Sequence, residues 1–310
     1  MAANVETMFS VRQKPWHGLG QVVEDAPSSA EALKLAGLDW QVYQQPIFTN
    51  FGECIAGYRA NVRSTDNKVL GVVSDRYKVV QNDEAFEFTD ELLNEGVRYE
   101  TAGSLQGGRK IWLLARIPKT YVMAGDKISS FLVFSNSHDG SGAVRVAITP
   151  VRVVCNNTLN LALSTTNRSF SMIHAGDIKG KIKMARETLF MADEYMGKLG
   201  HELARLNEKK IGYEQVEYYI NELLPLAKDA TEITQKNVKK QRSDIARRYY
   251  EAPDLKPLDH TAYRFINAVS DFATHAAPLR RTSDYQDNLF SRTIGGNPLI
   301  DKAYQLVNAA

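Results

Sequence analysis

The side chains with the clearest chemical potential in this chain are cationic and recur at helical spacing. Lys179, Lys183 and Arg186 stand at positions i, i+4 and i+7, so a helix places all three on one face. A row of cations of this kind can follow a phosphate backbone, but it is equally typical of a solvated helix surface. The spacing therefore predicts a polyanion-binding face or an ordinary exposed one.

The sequence around that helix is also rich in basic residues. Between positions 145 and 186 seven basic residues face one acid, Asp177, although the formal net charge of the chain is only +2. Arg145 and Arg152 lie seven apart on one predicted strand, so they point to opposite faces unless a bulge resets the alternation. The residues that we expect to bind nucleic acid are Arg152, Lys179, Lys183, Arg186, Arg145, Arg168, Lys239 and Lys240.

A second basic stripe lies further along the chain, from Lys236 to Arg248. It ends in Tyr249 and Tyr250, and aromatic rings beside cations offer faces on which bases stack. The alternative for this stripe is again a solvated helix surface.

Residue patterns for catalysis or metal binding are missing from the sequence. The six histidines are dispersed, and none forms a helical pair or a Cys/His cluster with metal-site spacing. The segment Asp139-Gly140-Ser141-Gly142 lacks the strand-to-helix context of a nucleotide-binding loop and is predicted to be a hairpin turn. We therefore expect no catalytic residue, no metal and no cofactor.

The composition is that of a folded globular protein. The chain has 310 residues, of which 44% are hydrophobic and 24% charged, and no apolar run approaches the ~20 residues of a membrane span. No basic region followed by an apolar stretch opens the sequence, which favours a cytoplasmic protein. Cys54 and Cys155 are too few for a disulfide framework and are expected to be reduced core residues.

The elements that position the basic residues indicate an α+β fold. A loop and a short helix occupy residues 1–39, with Ser28 and Glu31 as a capping box. An antiparallel β-meander with short helices packed on it follows at 40–175, and a helical C-terminal region fills 176–310. The sequence also predicts a strand at 77–80, a hairpin at Gly107-Gly108, and helix starts at Asn82, at 156–158 and at Asp259.

Several motifs together resemble a known family. The longest are Trp-His-Gly-Leu-Gly at 16–20 and Val-Arg-Val-Val-Cys-Asn-Asn-Thr-Leu at 151–159, and shorter ones occur at 38–40, 71–73, 77–82 and 261–269. They are similar to the phage/plasmid-like family, domain of unknown function 932. The resemblance implies residence on phage, prophage or plasmid genomes, and it supplies no reaction or catalytic residues.

The expected arrangement also resembles, at the level of fold, the annealing proteins of phage recombination systems, which hold single strands in a basic groove. We therefore expect a non-catalytic protein that binds single-stranded DNA, forms a homo-oligomer and assists recombination or replication. The alternative is a protein–protein interaction factor of a mobile element, which blocks a host defence through a host protein and binds no nucleic acid. A hydrolase acting on nucleic acid is a third hypothesis. None of the three involves a membrane.

Overall fold

The computed structural model describes residues 5–12, 20–93, 98–152, 157–158, 169–176, 194–277, 279 and 297–309. The fold is α+β, as the sequence predicts, with strands in the first half and helices in the second. Two compact units make up the chain. Unit 1 comprises Met1–Pro118, Phe131–Ile148 and Asn167–Ala192, and unit 2 comprises Lys119–Ser130, Thr149–Thr166 and Asp193–Ala310.

The larger sheet, sheet A, is mixed rather than a pure meander. Its strand order is β10-β9-β8-β7-β6-β1-β2, with β11 paired to β9. Strand β1 runs antiparallel to β6 and parallel to β2. The strands are β1 (Val5–Val11), β2 (Gln21–Val23), β6 (Arg98–Leu105), β7 (Lys110–Met123), β8 (Asp126–Ser137), β9 (Val144–Arg152), β10 (Asn157–Thr158) and β11 (Ser169–Met172).

The hairpin that the sequence predicts at Gly107-Gly108 is confirmed in sheet A. Gly107 and Gly108 join β6 to β7 with φ values of 68° and 86°, a region that glycine adopts without steric cost. The predicted turn at Asp139 is also present, where Asp139 Oδ1 accepts a hydrogen bond from the Ser141 backbone at 2.9 Å. The expected helix cap at 156–158 is wrong for Asn157 and Thr158, because these two residues form β10.

The smaller sheet, sheet B, is an antiparallel meander of β3 (Val42–Phe48), β4 (Cys54–Arg63) and β5 (Val69–Ser74). Arg63 fixes it within unit 1, since its guanidinium donates to Glu6 at 2.7 and 3.0 Å and to Asp66 at 2.6 Å. Hydrogen bonding from Arg63 holds the pKa of the Asp66 carboxyl at about 2. The predicted strand at 77–80 is wrong, because those residues belong to no strand.

Two short helices accompany the strands of unit 1. Helix α1 (Ser29–Leu35) begins with the expected capping box, in which Glu31 accepts from the Ser28 backbone at 3.0 Å. Helix α2 (Asn82–Leu93) starts where predicted, but Asn82 does not cap it. Its side chain instead donates to the Leu38 carbonyl at 2.9 Å and contacts a buried histidine.

Unit 2 contains the C-terminal helices. They are α3 (residues 194–208), α4 (Tyr213–Leu223), α5 (Glu232–Glu251), α6 (Ala262–His275) and α7 (Pro298–Ala309). Helix α6 lies at the centre, packed against α5, α7 and β10, and its residues are buried on nearly every side. It begins three residues later than predicted, because Thr261 rather than Asp259 caps it.

Arg264 on α6 is a buried cation held by backbone carbonyls. It is 4% exposed, and its Nε donates to the Tyr249 carbonyl and its Nη1 to the Leu258 carbonyl, each at 2.8 Å. Its guanidinium also lies 5.0 Å from the centroid of the Tyr249 ring. Among the described residues no ion pair includes it, so the C-terminal end of α5 supplies the negative potential around this charge.

Candidate nucleic-acid interface

The exposed side of α5 carries a ridge of four cations, Lys236, Lys239, Lys240 and Arg247, which we call the α5 ridge. At 100° per residue these positions cluster on the side of the helix opposite Ile245, the buried position. The ridge is about 16 Å long at 1.5 Å per residue. In the part of the chain that the structure describes, no ion pair involves its three lysines.

The other basic residues of α5 are occupied structurally. Arg242 donates to the Leu224 carbonyl at 2.7 and 3.0 Å, next to the end of α4. Arg248 pairs with Asp271 at 2.6 Å and also contacts Asp244. The second basic stripe of the sequence therefore divides into a ridge that faces solvent and two arginines that join helices.

A cavity of about 320 Å³ opens beside the ridge. Its wall holds two cations, Lys240 and Arg247, and one acid, Asp244, which pairs with Arg247 at 2.8 Å. The other lining residues are Gln241, Ser243, Phe272, Ala277 and Leu279. This volume is at the lower end of ligand-sized pockets. A wall of this composition suits a ligand with a flat apolar part and an anionic part.

The predicted site residues are only partly brought together. Lys239 and Lys240 lie side by side on the α5 ridge, while Arg145 is exposed on β9 in unit 1, opposite Ser171 of β11. Arg152 ends β9, and its side chain lies outside the described residues. Lys179, Lys183, Arg186 and Arg168 also lie outside them, as do Trp16 and His17 of the N-terminal motif.

Tyr249 is not the stacking platform that the sequence predicts. It is fully buried between α5 and α6, with its hydroxyl 3.2 Å from His260 Nδ1 and its ring against Phe265. Burial raises the pKa of Tyr249 to about 12. Tyr249 therefore belongs to the core of unit 2, whereas Tyr250, the other ring of the predicted pair, is half-buried.

A second surface, which the sequence analysis missed, lies on sheet B. Large apolar side chains stand in solvent on and around its hairpin, and they are Phe48, Phe51, Ile55, Tyr58, Val69 and Val72. Cys54 is exposed in the same strand, so the prediction of a core cysteine is wrong there. We call these six side chains the apolar sheet-B surface. Exposed apolar patches of this kind mark interaction sites.

Unit 1 also contains a buried histidine pair that sequence spacing did not reveal. His138 Nε2 lies 2.9 Å from Asn82 Oδ1, and His174 stacks on Tyr77 at 4.4 Å between ring centroids. Tyr77 in turn donates to the Ser137 carbonyl at 2.5 Å. The second ring nitrogen of each histidine has no hydrogen-bond partner among the described residues. His138 is fully buried and His174 is 5% exposed, so this cluster packs in the interior of unit 1.

The histidine pair predicts a loss of stability in mild acid. Burial lowers the pKa of His138 to about 3 and lowers that of His174, so the unfolded chain binds more protons below its usual histidine pKa of 6.5. Stability is full above pH 6.5 and falls as the pH decreases toward 4, by up to about 1.4 kcal/mol per pH unit for each histidine. Urea unfolding at pH 7.5, 6 and 5 measures this slope.

His138→Gln should flatten that slope, whereas the same change at the exposed His201 should not. An unchanged slope in His138→Gln would contradict the assignment of the acid sensitivity to the buried pair.

Two further features are absent from the described ranges. Within them, no group of three or more His, Cys, Asp or Glu residues is arranged to hold a metal ion. No described helix combines the length and apolar character needed to cross a bilayer.

The fold and the site define an α+β protein with a cationic helical ridge. The chain belongs to the DUF932 family, a domain of unknown function, whose profile matches residues 69–293. No curated protein and no solved structure matches the chain.

Proposed function

We propose that this protein is a non-catalytic single-stranded nucleic-acid-binding protein of the annealing type, which assists recombination or replication of a phage or plasmid. The observation that carries the proposal is the α5 ridge, because it combines aligned solvent-facing cations with a neighbouring cavity. Cations aligned on a helix can contact successive phosphates without reading sequence.

The cavity beside the ridge favours a single strand over a duplex. A base that enters it would contact Phe272 and Leu279 while its phosphate stays near Lys240 and Arg247. Bases of a duplex are stacked and paired, so they can enter only after unpairing, which costs free energy. Arg145, Arg152, Arg168 and the cations at 179–186 stay predicted nucleic-acid-binding residues, independently of the α5 ridge.

Removing the three ridge lysines should weaken binding without unfolding the protein. The logarithm of affinity falls against the logarithm of salt concentration with a slope of about −0.7 per phosphate contact. Lys236→Ala/Lys239→Ala/Lys240→Ala should therefore make this slope less steep by about 2. At 0.1 M salt the same loss corresponds to about 100-fold weaker binding. Fluorescence anisotropy with labelled single- and double-stranded oligonucleotides at several salt concentrations measures both quantities.

The matched control is Lys34→Ala/Lys127→Ala/Lys256→Ala, which removes the same charge from exposed positions outside α5. It should keep at least a tenth of the wild-type affinity. If both triple variants bind equally well, the ridge is a solvated surface and the proposal fails.

The second candidate function is the protein–protein interaction factor, and the apolar sheet-B surface favours it. In that case purified protein would show no salt-dependent binding to oligonucleotides, and a host protein would bind through Phe51 and its neighbours. Phe51→Ser should then abolish capture of that protein while it leaves the melting temperature unchanged, since Phe51 is 92% exposed.

A further inference from the structure

We propose that β5 is a self-association edge, on which a second copy of this chain adds its own β5 in antiparallel orientation. Within the described part of the chain, β3 and β5 each pair with β4 and with no other strand, so they form the two edges of sheet B. Unpaired edges are open to strand addition unless something covers them. The two edges of sheet B differ in this respect.

The β3 edge is closed by side chains of the same unit. The amide of Gln81 donates to the Val42 carbonyl and accepts from the Val42 backbone N–H, both at 2.8 Å, as a paired strand would. Backbone groups point away from β4 at every second residue, so Val42, Gln44 and Pro46 share the outer side. Pro46 has no N–H to offer there.

Among the described residues the β5 edge has neither a hydrogen-bonded side-chain amide nor a proline, although its pairing with β4 shifts register between Asn61 and Val62. Its sequence, Val-Leu-Gly-Val-Val-Ser, has no charged residue and no proline. On β4, Asn61 lies opposite Gly71 and Ala60 lies opposite Val72. The backbone N–H and C=O groups of successive residues point alternately toward and away from the paired strand, so those of Val72 point away from β4. Within the described chain, no side chain hydrogen-bonds the backbone of residues 69–73.

The exposed side chains along this edge fit a second copy. Val69 and Val72 are 52% and 56% exposed, and Tyr58 of the adjacent strand is 53% exposed on the same outer surface. A two-fold axis at Val72 places Val72 of one copy directly opposite Val72 of the other. The six strands then form one sheet whose apolar outer side is continuous across the axis.

Charge at the strand ends selects the antiparallel arrangement. Lys68 precedes β5 and Asp75 follows it, and both are exposed. Antiparallel addition places Lys68 of each copy beside Asp75 and Arg76 of the other, whereas parallel addition places only like charges together. The antiparallel orientation is therefore the one that brings opposite charges together at the strand ends.

Sedimentation equilibrium of the full chain tests the proposal. The wild-type protein should be a dimer at micromolar concentration, and Val72→Lys should have half its mass with an unchanged far-UV spectrum. Val22→Lys is the matched control, since Val22 is a 45% exposed valine on β2, the three-residue edge strand of sheet A. It should keep the wild-type mass.

Cross-linking provides a second measurement that does not depend on a disruptive charge. In a Cys54→Ser background, Val72→Cys should form a disulfide-linked dimer on mild oxidation, because directly opposed residues of an antiparallel pair lie ~5.5 Å apart between Cα atoms. Cys54→Ser alone should not. The Lys236→Ala/Lys239→Ala/Lys240→Ala variant should still dimerise, so failure of nucleic-acid binding leaves this test intact.

A wild-type monomer at 100 micromolar concentration would overturn the proposal. So would a dimer whose mass Val72→Lys leaves unchanged and which Val72→Cys does not cross-link.

Discussion

Replacement of Arg264 with methionine should lower the free energy of unfolding by about 3–5 kcal/mol. Methionine keeps the apolar stem but removes the guanidinium that binds the carbonyls of Tyr249 and Leu258. Those carbonyls lie beside a buried helix end, and an unsatisfied buried acceptor costs about 1–3 kcal/mol. Loss of the contact with the Tyr249 ring adds to this.

Chemical denaturation followed by circular dichroism measures the effect. Arg247→Met on α5 is the control, because Arg247 is exposed and its one ion pair among the described residues is with the neighbouring Asp244. Its loss should cost at most ~0.5 kcal/mol. Arg264→Lys should recover little, since one ammonium cannot reproduce the geometry of two guanidinium donors. Equal losses for Arg264→Met and Arg247→Met would show that the buried cation is not a stabilising centre.

Gly71→Ala should cost about 2–3 kcal/mol of stability through overpacking. A β-carbon at this position would lie 2.5 Å from Asp139 Cα and 2.8 Å from Asp139 O, and such distances to backbone atoms force the chain to move. The Asp139 turn follows directly on His138, so the strain also reaches the buried histidine pair.

Gly197→Ala is the matched control, because no atom lies within 4 Å of its virtual β-carbon. In the helical stretch 194–208 this change should be neutral or stabilising by up to about 1 kcal/mol. Thermal unfolding of both variants compares them directly. A Gly71→Ala protein as stable as the wild type would mean that the turn moves freely, contrary to its hydrogen bonds with Ser137 and Ser141.

Features set by neighbouring residues were predictable from the sequence. The capping box of Ser28 and Glu31 and the left-handed Gly107-Gly108 turn depend on contacts within a few residues, and both are present. The pairing of β1 with β6 joins residues about 95 positions apart, so no local sequence pattern predicts it. The strand predicted at 77–80 is wrong for the same reason, since Tyr77 donates to the Ser137 carbonyl, which lies 60 positions away in the sequence.

The candidate site was predictable in part. Helical spacing finds the cations of α5, but it does not tell which of them tertiary contacts will occupy. Arg242 turns to the end of α4 and Arg248 to Asp271, and both partners come from other helices. The burial of Tyr249 follows from the position of Arg264 above its ring, a contact that spacing alone cannot provide.

The amide of Gln81 hydrogen-bonds the backbone N–H and carbonyl of Val42, as a neighbouring strand would. It therefore also limits how many copies can add to sheet B. A sheet with two open edges adds copies without end and becomes a fibre. When a sheet has one open edge, two copies pair through that edge about a two-fold axis. No further copy can then add, because both outer edges of the dimer are the protected ones. In the proposed dimer Gln81 therefore blocks further strand addition at Val42, and Gln81→Ala would leave the Val42 backbone groups unpaired at both outer edges.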